Sequence, residues 1–167
     1  MLEVEIKAKI NKEDVEKKLS MIGAAFVKEE KQIDTYFTHP CVDFKLKDEA
    51  LRVREAGKRL FLAYKGAKVD LDTKTRDELE IEVKGKIFDL LKALGFNEVR
   101  RVIKKRGMYS WQGLKIFLDE VENLGDFVEV EAENMDEKDK IFSLLHRLGI
   151  SVNSLTRKSY LELIMEK

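Results

Sequence analysis

At 167 residues the chain is long enough to bury a core without disulfide or metal staples, and a composition 44% hydrophobic and 38% charged is globular but unusually rich in charge. Its 32 basic and 32 acidic side chains cancel, so no long-range field recommends nucleic acid or an anionic membrane as partner. A single cysteine, Cys41, and two histidines exclude an internal disulfide and a cysteine-based zinc knuckle, which leaves oxygen ligands and the hard cations magnesium or manganese.

The opening stretch alternates Leu2, Val4, Ile6, Ala8 and Ile10 with Glu3, Glu5, Lys7 and Lys9, the pattern of a half-buried strand. Same-face residues on a strand lie roughly 6.5–7 Å apart, so Glu3 and Glu5 are placed to share a hydrated divalent cation with Lys7 one step beyond. Asn11 is a fitting N-cap for a helix with Val15, Leu19 and Ile22 on one stripe and Gly23 past its end. Ala25 to His39 reads as a long strand ended by Pro40, the only proline. After a loop, Leu51-Arg52-Val53-Arg54 puts two guanidiniums on one face, a fork suited to phosphate oxygens. Ala56-Gly57-Lys58 turns into a partner strand ending at Lys65, and the segment from Ala67 to Thr75 reads as a polar loop.

Arg76 to Lys84 is a second acid-faced strand, carrying Glu78, Glu80 and Glu82. Ile87, Leu90, Leu91 and Leu94 form a helical stripe, and Phe96 to Trp111 returns as a strand with Arg100, Val102, Lys104 and Arg106 on one face. Leu114 to Val121 groups Lys115, Phe117 and Asp119, and Phe127 to Glu133 is the third acid-faced strand, with Glu129 and Glu131. A helix striped by Ile141, Leu144, Leu145 and Leu148 follows, then a last strand from Thr156 to Ile164 that places Thr156, Lys158, Tyr160 and Glu162 together.

No linker divides these elements, so the expectation is one domain over residues 1–167, α+β and mainly β: a closed eight-stranded antiparallel barrel with about three short helices packed outside. The helices take the apolar strand faces, which turns the charged faces inward. Unpaired burial would cost several kcal/mol per ion, so such a lining must be wet or internally paired. It suits a polyanion that arrives with a divalent metal. The chain enters a strand at once, without a basic and then apolar leader, and has no run of 18 apolar residues, from which a cytoplasmic protein with no membrane contact is expected. Arg100-Arg101 and Lys104-Lys105-Arg106 are divided between two strand faces, so nucleic acid is not expected.

Glu3-Val4-Glu5-Ile6-Lys7 resembles the Glu-x-Glu-x-Lys signature of the CYTH superfamily, the triphosphate tunnel metalloenzymes, which includes class IV adenylyl cyclases, thiamine triphosphatases and inorganic triphosphatases. Further similarities follow in the family's order: Gln32-x-Asp34-Thr35-Tyr36-Phe37, Ala50 to Arg54, Tyr64-Lys65-Gly66, Arg76-x-Glu78, Lys104-x-Arg106, Leu118-Asp119-x-Val121, Gly125 to Glu131 and Lys158-Ser159-Tyr160. The wording around Asp34 to Phe37, Ala50 to Arg54 and Asp119 to Glu131 looks most like the class IV cyclase branch. The resemblance implies that Glu3, Glu5, Asp119, Glu129 and Glu131 hold Mg2+ or Mn2+, and that Lys7, Arg52, Arg54, Lys65, Lys104, Arg106 and Lys158 grip the triphosphate. It further implies that Tyr36 and Lys65 help activate water in triphosphatase members, with Arg76, Glu78 and Glu80 in support.

The expected partner is therefore a small triphosphate (ATP, tripolyphosphate or thiamine triphosphate), and the chain is expected as a monomer or homodimer. Two chemistries share such a lining: attack of the ribose 3′-oxygen of ATP on its α-phosphorus, giving cyclic AMP and pyrophosphate, or attack of water on a terminal phosphorus. A third reading is a module that binds triphosphate or polyphosphate without turnover.

Overall fold

The computed structural model describes residues 2–167, with side chains described from Val4 onward. Nine strands form one antiparallel sheet in the order β5-β4-β3-β2-β6-β7-β8-β1-β9. In chain order the strands are β1 Leu2–Lys9, β2 Ala25–Thr38, β3 Ala50–Ala56, β4 Arg59–Lys65, β5 Arg76–Val83, β6 Asn97–Trp111, β7 Leu114–Val121, β8 Gly125–Ala132 and β9 Leu155–Thr156. Four α-helices accompany them: α1 Lys12–Met21, α2 Ile87–Ala93, α3 Lys138–Arg147 and α4 Tyr160–Met165. The long ribbon of β2 and β6 joins a half built on β3, β4 and β5 to a half built on β7, β8 and β1.

The curl returns β5 to β1, where Leu2 pairs with Asp77 and Glu3 with Arg76. No further β1–β5 pair is present among the described residues, although Lys74 N donates to Glu5 O at 2.8 Å just beside them. The expectation of a fully closed eight-stranded barrel is met in its coarser part, a mainly antiparallel sheet with helices outside, while hydrogen bonds do not close the sheet along its length.

Helices α1 and α3 lie on the outward apolar faces of β1, β7 and β8. Val15, Leu19, Ile141, Leu144, Leu145 and Leu148 pack there against Val4, Ile6, Ile116, Leu118, Val128 and Val130. Truncating one such leucine to alanine costs about 2–5 kcal/mol. Asn11 caps α1 by accepting from Asp14 N at 3.2 Å, and Gly149, at φ +71°, ends the α3 stripe. Helix α2 covers the other half, with Ile87 and Leu91 against Phe37 and Val53. No helix among the described residues is long and apolar enough to cross a membrane.

One expected element is corrected. The strand read over Thr156 to Ile164 ends after Leu155–Thr156, and the chain turns into α4. The reason is a capping box: Ser159 Oγ accepts from Glu162 N while the Glu162 carboxylate accepts from Ser159 N, which satisfies two helix-end donors at once and outweighs the period-two pattern.

Candidate active site

The inward strand faces line one cavity of about 1340 Å³ that holds the charged residues of both halves of the sheet. The alternation places them: side chains pointing away from the helices have only this space to enter.

One wall is acidic. Glu5 on β1 and Glu131 on β8 are direct cross-strand partners, as are Lys7 and Glu129. The carboxylates of Glu5, Glu129 and Glu131 each present an oxygen within 4.8 Å of the others. Two like charges directly opposite destabilise a sheet unless a cation mediates. Lysines serve that purpose here. Lys7 Nζ lies 2.5 Å from Glu5 Oε1 and 2.8 Å from Glu129 Oε2, and Lys74 Nζ lies 2.9 and 3.1 Å from the two oxygens of Glu5. Burial works against the Lys7 ammonium, but Glu129 and Glu5 outweigh it and hold its pKa above the ordinary lysine range. Lys74 is pushed down to about 8 by burial, which Glu5 and Glu129 offset only in part, with Lys7 and Lys65 nearby adding to the fall. Three converging carboxylates with no nitrogen or sulfur donor match the oxygen preference of Mg2+ or Mn2+.

The other wall is basic. The β2–β3 register sets Asp34 opposite Arg54 and Tyr36 opposite Arg52. Asp34 accepts from Arg54 Nε at 2.7 Å and Nη2 at 2.9 Å, with Lys104 Nζ at 3.3 Å and Arg52 Nη1 at 3.8 Å. Burial favours the neutral acid, yet Arg54, Lys104 and Arg52 keep its pKa well below the usual carboxylate value. Lys104 is pushed down to about 7 by burial and the adjacent Arg106, since Asp34 is already shared with Arg54. Glu78 holds Lys65 at 2.5 Å and Arg52 at 3.3 Å, and Glu80 takes Arg52 at 2.8 Å. Burial and the charge on Asp34 raise the Tyr36 pKa, so it remains a phenol.

These pairs do not use every donor. Arg52 and Arg76, each only 4% exposed, line the cavity, and the Nε of each has no hydrogen-bond partner among the described residues. Buried guanidinium N–H groups without an acceptor are costly, and a phosphate oxygen is a fitting one.

Helix α4 reaches into the cavity through Tyr160, whose hydroxyl donates to Asp119 Oδ2 at 2.8 Å. Arg106 holds both Asp119 oxygens, at 2.7 and 2.6 Å, and also Glu129 Oε1 at 2.8 Å. The Tyr160 ring carries the Lys7 ammonium at 4.4 Å and that of Lys104 at 5.2 Å.

The structure gathers Lys7, Arg52, Arg54, Lys65, Lys104 and Arg106 along the cavity with Tyr36, Arg76, Glu78 and Glu80. Of the expected metal ligands it converges Glu5, Glu129 and Glu131. Asp119 is instead engaged by Arg106 and Tyr160, and the Glu3 side chain lies outside the described residues. Lys158 falls outside the lining: its side chain is half exposed and pairs with Glu166 at 2.7 Å, because the strand that was to point it inward has ended two residues earlier. Lys74 falls in the segment expected as a polar loop, and Tyr160 on the expected strand face beside Lys158, where no role at the site is assigned to it. The first shares the parity of Arg76, Glu78 and Glu80, and the second follows the Ser159 cap.

The family model for the CYTH domain matches residues 1–160. A protein of Methanocaldococcus jannaschii, provisionally named an adenylate cyclase, is 41% identical over 172 residues, covering 98% of each chain. Among solved structures, a Pyrococcus horikoshii protein superposes with a TM-score of 0.89 at 40% identity, covering 98% of both chains. A Hippeastrum protein, described as a provisionally assigned adenylyl cyclase with a dominant triphosphatase activity, shares the fold at a TM-score of 0.73 and 17% identity, covering 99% of this chain and 95% of its own. The chain belongs to the CYTH domain family.

Proposed function

We propose that the chain is a divalent-metal-dependent enzyme that converts ATP to cyclic AMP and pyrophosphate inside this cavity, the curled sheet working as a tunnel around the substrate. The observation that carries the reading is the sorting of charge. A converging carboxylate trio stands on the β1–β8 wall. The same cavity is lined by guanidinium groups, of which the Arg52 and Arg76 Nε donors lack an acceptor among the described residues.

Glu5, Glu129 and Glu131 would hold the metal, which when bound supplies neutralisation of phosphate charge and fixes the phosphate geometry. Arg52, Arg54 and Arg76 gather the phosphate oxygens, and Lys65 adds a point charge at their edge. In cyclisation the ribose 3′-oxygen attacks the α-phosphorus, and the negative charge that builds on the departing pyrophosphate is met by cations already in place. Asp34 and Glu78 keep those cations oriented before substrate arrives, so little reorganisation is left for the reaction itself. The cavity, at about 1340 Å³, exceeds the roughly 300–1,000 Å³ of common ligand pockets and has room for a nucleoside beyond the phosphates. Phe44, Leu161 and Met165 add apolar side chains to its lining that suit a base.

A second reading, hydrolysis of tripolyphosphate or another triphosphate, is favoured by Tyr36 sharing the lining with Lys65, and by the activity described for the Hippeastrum relative. Phosphorus NMR of the purified chain with ATP, and separately with tripolyphosphate, in magnesium or manganese separates the two. Cyclic AMP with pyrophosphate is the expected product. Orthophosphate from tripolyphosphate, with ATP left uncyclised, would replace the cyclase by the hydrolase, and line broadening with no product would leave a binding module.

A further inference from the structure

Glu5 is held by two lysines, Lys7 and Lys74, which are not equivalent. Lys7 stands on β1 itself, spans Glu5 and Glu129, and lies over the Tyr160 ring at 4.4 Å. Lys74 comes from the segment that precedes β5. Its Nζ meets both oxygens of Glu5, at 2.9 and 3.1 Å, and Glu5 is its sole ion-pair partner among the described residues. Its backbone N–H also donates to Glu5 O at 2.8 Å.

The backbone around Lys74 is clamped. Asp70 accepts from Thr73 N and Thr73 Oγ1, both at 2.7 Å, and from Asp72 N at 2.9 Å. Lys138 holds the Asp70 carboxylate from α3, while Arg157 donates to Thr73 O at 3.0 Å and to Asp70 O. With the main chain fixed on both sides, the four-carbon side chain of Lys74 is the part that can change place.

A divalent cation shared by Glu5, Glu129 and Glu131 needs the same lone pairs of Glu5 that the Lys74 ammonium fills. We propose that Lys74 is a tethered stand-in for the metal: it neutralises Glu5 while the cavity is empty, and gives Glu5 up to the incoming ion to follow the triphosphate. The inference rests on the metal-site reading above and adds a consequence to it. The metal binds weakly alone and tightly with the triphosphate, because each removes what opposes the other. Such coupling is reciprocal and spans about 5- to 150-fold in comparable cases. Lys7 is held at more points, since leaving Glu5 would also break its contacts with Glu129 and the Tyr160 ring.

The test is Mn2+ binding to the full chain without any phosphate, read from the free-ion electron paramagnetic resonance signal, for the parent, Lys74→Met, Lys74→Gln and Lys74→Met combined with Glu131→Gln. Melting temperatures establish that each variant is folded, and the glutamine variant stands in if the methionine does not fold. Removal of the ammonium is expected to tighten Mn2+ binding by about tenfold, and addition of Glu131→Gln to abolish that gain. Equal or weaker Mn2+ binding by both Lys74 variants, with measurable binding by the parent, would overturn the stand-in role and leave the metal site intact. Absence of Mn2+ binding in all forms would overturn the carboxylate trio as a metal site and the role of Lys74 with it.

Discussion

The two walls of the cavity hold comparable charges in different ways. On the β2–β5 wall carboxylates carried by the strands hold Arg54, Lys65 and Arg52: Asp34 chelates Arg54 of the adjacent strand through two nitrogens, and Glu78 bridges Lys65 of the adjacent strand and Arg52 one strand further on. On the β1–β8 wall like-charged Glu5 and Glu131 face one another, and part of their neutralisation comes from outside the strands, through Lys74. In the proposed reading one wall keeps its shape and the other exchanges a cation. A rigid anion cradle opposite an exchangeable cation site is what a metal-bound polyanion requires.

The largest effect expected is on the rigid wall. Asp34→Ala leaves Arg54 and Lys104 buried without their carboxylate, and breaking such a cluster costs about 3–5 kcal/mol, read as a lower denaturation midpoint. A midpoint within experimental error of the parent would deny that Asp34 organises this wall. On the exchangeable wall the effect moves from stability to chemistry. Glu131→Gln keeps the shape but weakens the trio, and metal-dependent turnover should fall by at least ~100-fold with the melting temperature little changed. Full activity in that variant would remove the acidic wall from the reaction.

Arg76 sharpens the contrast, since its Nε lacks an acceptor among the described residues. Arg76→Gln is expected to leave stability near the parent's and to weaken triphosphate binding about tenfold by calorimetry, the worth of one hydrogen bond to a charged group. Unchanged affinity would mean that this donor does not face the substrate.

A smaller effect is expected from pH. With its pKa pushed down to about 7, Lys104 is largely neutral at pH 8, and a polyanion at its side restores the charge. Triphosphate affinity should accordingly weaken by a few-fold as pH rises through about 7, with proton uptake on binding near pH 8. Across the window from about 7 to the ordinary lysine value of 10.5, the unfolded chain binds the proton that the folded chain has lost, so this residue makes stability rise with pH. Lys104→Met should flatten both trends, and profiles that match the parent's would assign them to other groups. The smallest change is expected at Lys158, which is absent from the cavity lining and forms an exposed pair with Glu166; Lys158→Ala should shift neither affinity nor melting temperature measurably, whereas loss of triphosphate binding would place it back in the grip.

Most of this division was legible in the sequence because strand alternation is a rigid rule. Glu5 and Lys7, Arg52 and Arg54, Glu78 and Glu80, Lys104 and Arg106, and Glu129 and Glu131 each share a face by parity alone. Lys74 obeys the same parity, but the Asp70 to Thr75 segment reads as a polar loop. What turns it inward is a set of bonds made at long range by Lys138 and Arg157. At the other end parity misled, for Thr156 to Ile164 alternates like a strand while Ser159 and Glu162 carry a helix cap. That one local signal moved Lys158 out of the lining and brought Tyr160 into contact with Asp119. Asp119 itself was found on the inward face, yet no one-dimensional pattern reveals that Arg106 and Tyr160 occupy its oxygens.

The central claim, a metal held by one wall and phosphates by the other, is tested most directly by anomalous diffraction from crystals of the chain grown with Mn2+ and tripolyphosphate. The account predicts a manganese peak between Glu5, Glu129 and Glu131, the Lys74 side chain turned away from Glu5, and phosphate oxygens against Arg52 and Arg76. A manganese peak elsewhere, or a triphosphate bound outside the cavity, would contradict it.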